Sequence, residues 1–158
     1  MITRNPELDL SLTRTIKAPR DLVWSAWTIP ASFEQWWIPR PALCRIAQMD
    51  VVPGGALVTR ISENGGGFVT HFDGCYLAVD DGRQLVFTNS LVSGWRPAEQ
   101  PFMTAIITLA DHPEGTEYTA YVMHKSPADR NLHEEMGFFD GWGTVADQLA
   151  ELVERRVQ

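Results

Sequence analysis

The stretch that most limits what this chain can become runs from Gly137 to Arg156. Phe138, Trp142, Val145, Leu149, Leu152 and Val153 recur there at three- and four-residue steps, so a helix would gather them on one face. Asp147, Gln148, Glu151, Glu154 and Arg155 fall on the other face. Acids early and Arg155-Arg156 last suit the helix dipole. At ~1.5 Å per residue such a helix is about 30 Å long, enough to cross a small sheet. Gly137, Gly141 and Gly143 each cost roughly 1 kcal/mol against alanine inside a helix, which predicts a close approach of backbone or ligand there.

Almost everything before this helix reads as strand. Residues 8–16 alternate apolar and polar, a half-buried strand. Pro19 opens a short helix over Arg20 to Thr28, stopped by Pro30. A second short helix is predicted over Ala31 to Trp37, closed by Pro39 and Pro41. Cys44 to Val51 reads as a strand ending in the Pro53-Gly54-Gly55 turn. An antiparallel meander follows: Ala56 to Glu63, Phe68 to Val79, Gln84 to Leu91, Phe102 to Ala110 and Glu117 to His124. Gly74 marks a bulge or bend, and Val92 to Pro101 a longer loop. Ser126-Pro127-Ala128-Asp129 has the form of a helix start, with a break near Gly137. The expected architecture is α+β: a curved antiparallel sheet of about seven strands, two short helices after the first, and the long helix across its concave face. The 158 residues make one ordinary domain, and no repeat or linker divides 1–158.

Composition narrows the function. A net charge of −7 argues against nucleic acid or an anionic membrane surface as partner. No apolar run is long enough to insert in a bilayer, and the N-terminal Met-Ile-Thr-Arg-Asn-Pro-Glu lacks a signal peptide's apolar core. Cys44 and Cys75, the only two cysteines, are too few for a disulfide scaffold, which predicts a reduced, cytoplasmic protein.

Ala18-Pro19 with Val23-Trp24 and Ala26-Trp27, then Gln35-Trp36-Trp37 with Pro39, form a recognisable series. It continues through Asp50 with Pro53-Gly54-Gly55, Gly74-Cys75-Tyr76, Leu85-Val86-Phe87-Thr88 and Gly115-Thr116. It closes on Glu134 to Phe138, Gly141-Trp142 and Gln148-Leu149. In this order and spacing the chain resembles the homologues of the activator of heat shock protein 90 ATPase, within the START-like (SRPBCC) helix-grip superfamily of ligand-binding domains. Ile38 stands where that family often has Gly. The resemblance implies the helix-grip fold. It does not carry over chaperone activation, because the eukaryotic co-chaperones join this type of domain to a separate N-terminal domain, and this chain begins at the first strand. A chaperone partner is therefore not expected.

The chemistry-bearing residues form no established catalytic motif. His71, Asp73 and Cys75 share one face of a regular strand, with His124 on a neighbouring strand. They are metal-ligand types, yet one strand face makes a polar cavity wall more readily than a metal site, so no metal and no cofactor is assigned. Cys75 with His124 lacks an orienting acid, and His133-Glu134-Glu135 lacks the second His of a zinc-protease motif and reads as a solvated helix face. Trp36 and Trp37 on one helix would point about 100° apart, leaving one at a cavity mouth or a partner.

The function expected is binding of a small, largely apolar ligand between sheet and long helix. Trp37, His71, Asp73, Tyr76, Thr88, Trp95, Thr108, His124, Phe138 and Trp142 are the expected contacts, with the mouth near Trp37 and the Val92–Pro101 loop. Two alternatives stay open: a protein-interaction module, co-chaperone-like or forming a homodimer, and a hydrolase or cyclase of the same fold. No catalytic residue is assigned.

Overall fold

The computed structural model describes residues 3–157; Met1 and Ile2, part of the N-terminal stretch read above, and Gln158 lie outside them. Nine strands and four helices are present among the described residues: β1 (Asp9–Ile16), α1 (Arg20–Thr28), α2 (Pro30–Phe33), β2 (Leu43–Met49), β3 (Ala56–Ser62), β4 (Val69–Asp80), β5 (Gln84–Thr88), β6 (Leu91–Val92), β7 (Arg96–Pro97), β8 (Met103–His112), β9 (Gly115–His124), α3 (Pro127–Glu135) and α4 (Phe138–Val157). Seven strands make one antiparallel sheet in the order β1-β9-β8-β5-β4-β3-β2, and β6 and β7 form a small separate hairpin. β1 closes the sheet beside the last strand, pairing Leu10 with Val122 and Leu12 with Ala120.

The sheet's two faces are chemically distinct. Leu85 and Phe87, Ala105 and Ile107, and Tyr118, Ala120 and Val122 point to the concave face and join the main core. The residues between them point outward, where Val86, Ile106 and Tyr121 form a smaller cluster with Leu77 and Met123. Period-two alternation produces this division, and a one-residue slip would invert it. α4 lies on the concave side with Phe138, Trp142, Val145, Leu149, Leu152 and Val153 all buried, the face its spacing predicts. At about 1.5–3 kcal/mol per buried side chain, that face contributes on the order of 10 kcal/mol before chain entropy is counted.

α3 begins as the sequence suggests, with the Ser126 hydroxyl accepting from the Asp129 N–H at 3.1 Å. Its break from α4 is Gly137, at φ +96°, a left-handed conformation that a side chain would strain. The predicted second helix is shorter than expected. α2 ends at Phe33, and residues 34–37 form a turn. That turn removes the 100° constraint, so Trp36 and Trp37 are both buried, at 0% and 6% exposure, with their rings edge to face. Trp36 Nε1–H donates to the Ala26 carbonyl at 3.0 Å.

Gln148 fixes this turn to α4. Assigned by periodicity to the solvent face, it is instead only 7% exposed. Its Nε2 donates to the carbonyls of Trp36 and Ile38, each at 2.9 Å, and its Oε1 accepts from the Arg40 N–H at 2.9 Å. Ile38, where the family often has Gly, is buried within the same stitched segment. Gln148→Leu keeps the volume but leaves two carbonyls and an N–H unpaired, a loss of about 2–4 kcal/mol. The urea midpoint of this variant should fall by about 1–2 M. An unchanged midpoint would mean the segment is held by its tryptophans alone.

Candidate functional site

Where the first turns of α4 leave the sheet, a pocket of about 330 Å³ opens. α4 supplies Phe138, Gly141, Trp142 and Val145; the segment stitched by Gln148 supplies Trp37, Ile38 and Pro39. The sheet gives His71, Phe72 and Met103, and the segments beside it Asn89 and Phe102. His133, Met136 and Gly137 close it from the α3–α4 junction. The Phe138 and Trp142 rings stack at 5.6 Å, and Trp37 meets Trp142 edge to face at 5.5 Å. A Cβ built at Gly141 meets nothing within 4 Å, so this glycine's missing side chain is part of the open space. None of the lining side chains is an Asp, Glu, Lys or Arg.

The polar groups reach the pocket through local irregularities. β3 and β4 change register between Thr59 and Arg60, leaving His71 unpaired opposite them. This bulge lets His71 and its neighbour Phe72 both line the pocket, which regular alternation forbids. His71 Nδ1 lies 3.1 Å from the Thr59 hydroxyl. Desolvation lowers the His71 pKa, partly opposed by Glu63.

His133 is reached from β9. His124 Nδ1 lies 2.8 Å from the Leu8 carbonyl, and His124 Nε2 lies 2.8 Å from His133 Nδ1. Phe102 covers both imidazoles, with ring centroids at 5.5 and 5.0 Å. Desolvation, then the neighbouring His124, pushes the His133 pKa down from 6.5 to about 4. Asn89 is oriented by backbone: its Oδ1 accepts from the N–H groups of Phe102 and Met103 at 3.2 and 2.9 Å. Trp37 Nε1–H is buried without an acceptor among the described residues.

Of the ten expected contacts, Trp37, His71, Phe138 and Trp142 come together at this pocket. His124 stands behind it, bonded to His133. The others do not line it. Tyr76 is buried within the main core, where burial and then Asp50 push its hydroxyl pKa up. Thr108 alternates with the inward Ile107 and Leu109 and so faces outward, opposite Thr119, which contacts Thr13 across the outer surface. Thr88 is likewise outward, its hydroxyl donating to the Met103 carbonyl at 2.9 Å. Asp73 is exposed, pointing away from Phe72 and the core. Trp95 is 54% exposed and lies over Gly54, 3.0 Å from where a Cβ would be, so the Val92–Pro101 loop is not the mouth. The bulge also separates His71 from Asp73 and Cys75, and among the described residues no three metal-ligating side chains converge. Cys75 and His124 sit on opposite faces of the sheet. Trp142, buried at 9% exposure, belongs to the main core and to the pocket wall at once, while Leu149 and Val153 of the same helix face are fully buried.

Sequence reasoning did not name Ile38, Pro39, Phe72, Asn89, Phe102, Met103, His133 or Met136 as wall residues, whereas Gly141 was expected to let backbone or ligand approach closely. Gly141 carried a signal, being costly in a helix. His133 carried none, since its two glutamate neighbours mark a solvated face and only the turn at Gly137 folds α3 back over the pocket.

Seven antiparallel strands gripping a long C-terminal helix, with a cleft at that helix's N-terminal end, define a helix-grip protein. The chain belongs to the family described as Activator of Hsp90 ATPase homolog 1-like protein, whose model matches residues 17–154. A crystal structure of a Nitrosomonas europaea protein is 41% identical, with 97% of this chain and 98% of that one covered and a TM-score of 0.88. A Mycobacterium smegmatis protein is 22% identical, covering 93% and 91%, with a TM-score of 0.76. The AHSA1-like protein of Aeromonas hydrophila is 18% identical, covering 94% of each chain, with a TM-score of 0.69. At these last two identities the likeness speaks for the fold alone. No curated protein matches the chain. No helix of the described residues is long and apolar enough to cross a membrane.

The low pKa of His133 has a measurable consequence. Between pH 4 and 6.5 the unfolded chain holds a proton that the folded chain does not, so stability rises with pH across that window and falls as acid is added. After discounting for partial exposure the contribution is about 1–2 kcal/mol. His133→Leu should flatten the dependence of the urea midpoint on pH between 4 and 6.5, relative to the unaltered protein. Parallel curves for the two would remove His133 as the source.

Proposed function

We propose that this protein binds a small, largely apolar ligand in the pocket between the N-terminal turns of α4, the Trp37–Pro39 segment and the sheet. The observation that carries this reading is Gly141. A glycine in a helix interior costs about 1 kcal/mol against alanine, and here its absent side chain opens space toward an aromatic wall. The pocket's volume and its division into apolar wall and few polar groups match those of small-molecule sites. Membership of a family within the START-like superfamily is consistent with a ligand, and the eukaryotic relatives' chaperone role is no part of this reading.

Gly141 also supplies the test. Gly141→Leu fills the pocket without a backbone clash and improves helix propensity, whereas Gly141→Ala improves propensity and leaves most of the space. An apolar fluorescent dye should bind the unaltered protein at about one site per chain, bind Gly141→Ala similarly, and fail to bind Gly141→Leu. Both variants should melt higher, by up to about 1 kcal/mol of added stability. Dye binding unaffected by Gly141→Leu would place the dye elsewhere and sink this reading.

A second reading has its own observation. Leu132, Met136 and Phe139 are exposed around the α3–α4 junction, an apolar rim suited to a like subunit. A concentration-dependent dimer in sedimentation velocity, lost in Leu132→Lys, together with absent dye binding, would make the interaction module the better account. Catalysis would have to run on His71 and His133, since no carboxylate lines the pocket.

A further inference from the structure

The histidine pair limits what chemistry a ligand of this pocket can present. The Leu8 carbonyl can only accept, so His124 Nδ1, 2.8 Å away, carries a proton. With one proton on each ring, His124 Nε2 is a bare acceptor, and His133 Nδ1, 2.8 Å from it, carries a proton and donates. In neutral His133 the remaining nitrogen, Nε2, is therefore an acceptor without a proton. It has no partner among the described residues, and the ring lines the pocket. Two successive hydrogen bonds from a backbone carbonyl thus fix the tautomer of a pocket residue.

Across Phe102 the complementary group is fixed in the same way. Asn89 Oδ1 is taken by the backbone N–H groups of Phe102 and Met103, so its Nδ2 is left as a donor with no partner among the described residues. Asn89, bonded to the Phe102 N–H, and His133, whose ring centroid lies 5.0 Å from that of Phe102, both line the pocket. One oriented acceptor and one oriented donor, each on a residue in contact with Phe102, suit a group that both donates and accepts. With no charged side chain in the lining, an ionised ligand group would find no counter-charge. The depressed His133 pKa, about 4, means that the imidazole does not supply one at neutral pH.

We propose that the ligand is a neutral, largely apolar alcohol or phenol whose O–H donates to His133 Nε2 and whose oxygen accepts from Asn89 Nδ2. This rests on the ligand-binding reading and narrows it. His133 is the residue that discriminates, His124 positions its tautomer, and the aromatic wall supplies affinity. A site built to hydrogen-bond a hydroxyl discriminates strongly against an analogue lacking it, because its own polar groups are left unpaired.

Calorimetric titration at pH 7 with 2-naphthol, 2-methoxynaphthalene and 2-naphthoate tests it. The methyl ether keeps rings and oxygen and lacks the O–H; the carboxylate brings charge. 2-Naphthol should bind at least ~10-fold tighter than either. In His133→Leu its affinity should drop to that of 2-methoxynaphthalene, whose own binding is unchanged or improved. If all three bind the unaltered protein equally, or the carboxylate binds tightest, the proposal is overturned while the pocket stands. A naphthol preference that survives His133→Leu assigns the discrimination to another group and also overturns it. If none of the three binds, the ligand-binding reading itself fails. Should His133→Leu not fold, by circular dichroism, the series on the unaltered protein decides.

Discussion

The amide of Gln148 makes three hydrogen bonds to one short segment, and much of the structure near the pocket depends on them. A helix packed on a sheet through apolar side chains alone can slide or tilt at small cost, since apolar contact is non-directional. Hydrogen bonds are directional, and buried ones are costly to leave unmade. By pairing Trp36, Ile38 and Arg40 through backbone groups, Gln148 ties α4 to the turn after α2. That turn is where Trp36 and Trp37 diverge, one into the core beneath α1 and the other into the pocket wall.

From this tie a continuous aromatic line runs through the protein. Trp27 touches Phe33, Trp36, Trp37 and Phe87, and Trp37 passes the contact to Trp142, which stacks on Phe138. Such rings fill space with few rotatable bonds, which makes for a stiff wall. At the Leu149–Val153 end of α4 the helix face is fully packed. At the Phe138 end the helix and the curved sheet diverge, and glycine at 141 leaves the gap open rather than filled.

The polar groups at that gap are each held from outside it. Leu8 fixes His124, which fixes His133; the backbone at Phe102 and Met103 fixes Asn89; a bulge opposite Thr59 turns His71 inward. The orientation of these polar side chains is therefore set by the fold itself. Desolvation keeps His133 neutral at neutral pH, so the pocket wall carries hydrogen-bonding groups and no charged side chain.

The sequence by itself determined the elements and their faces. Period-two alternation marked the strands, the three- and four-residue spacing marked the buried face of α4, and Ser126-Pro127 and Gly137 marked where α3 begins and where the chain breaks, because each signal is local. The order of these pieces was enough to name the family. Tertiary structure alone decided which residues meet. The inward or outward sense of Thr88 and Thr108 follows from sheet register, which no single strand encodes. The release of His71 from its strand face needs a bulge between two strands. The burial of Gln148, which lies on the polar side of the helix pattern, needs the Trp36–Arg40 turn to arrive opposite it. His133 became part of a site only when α3 folded back against β9, joining groups whose pairing depends on distance in space and not on spacing along the chain.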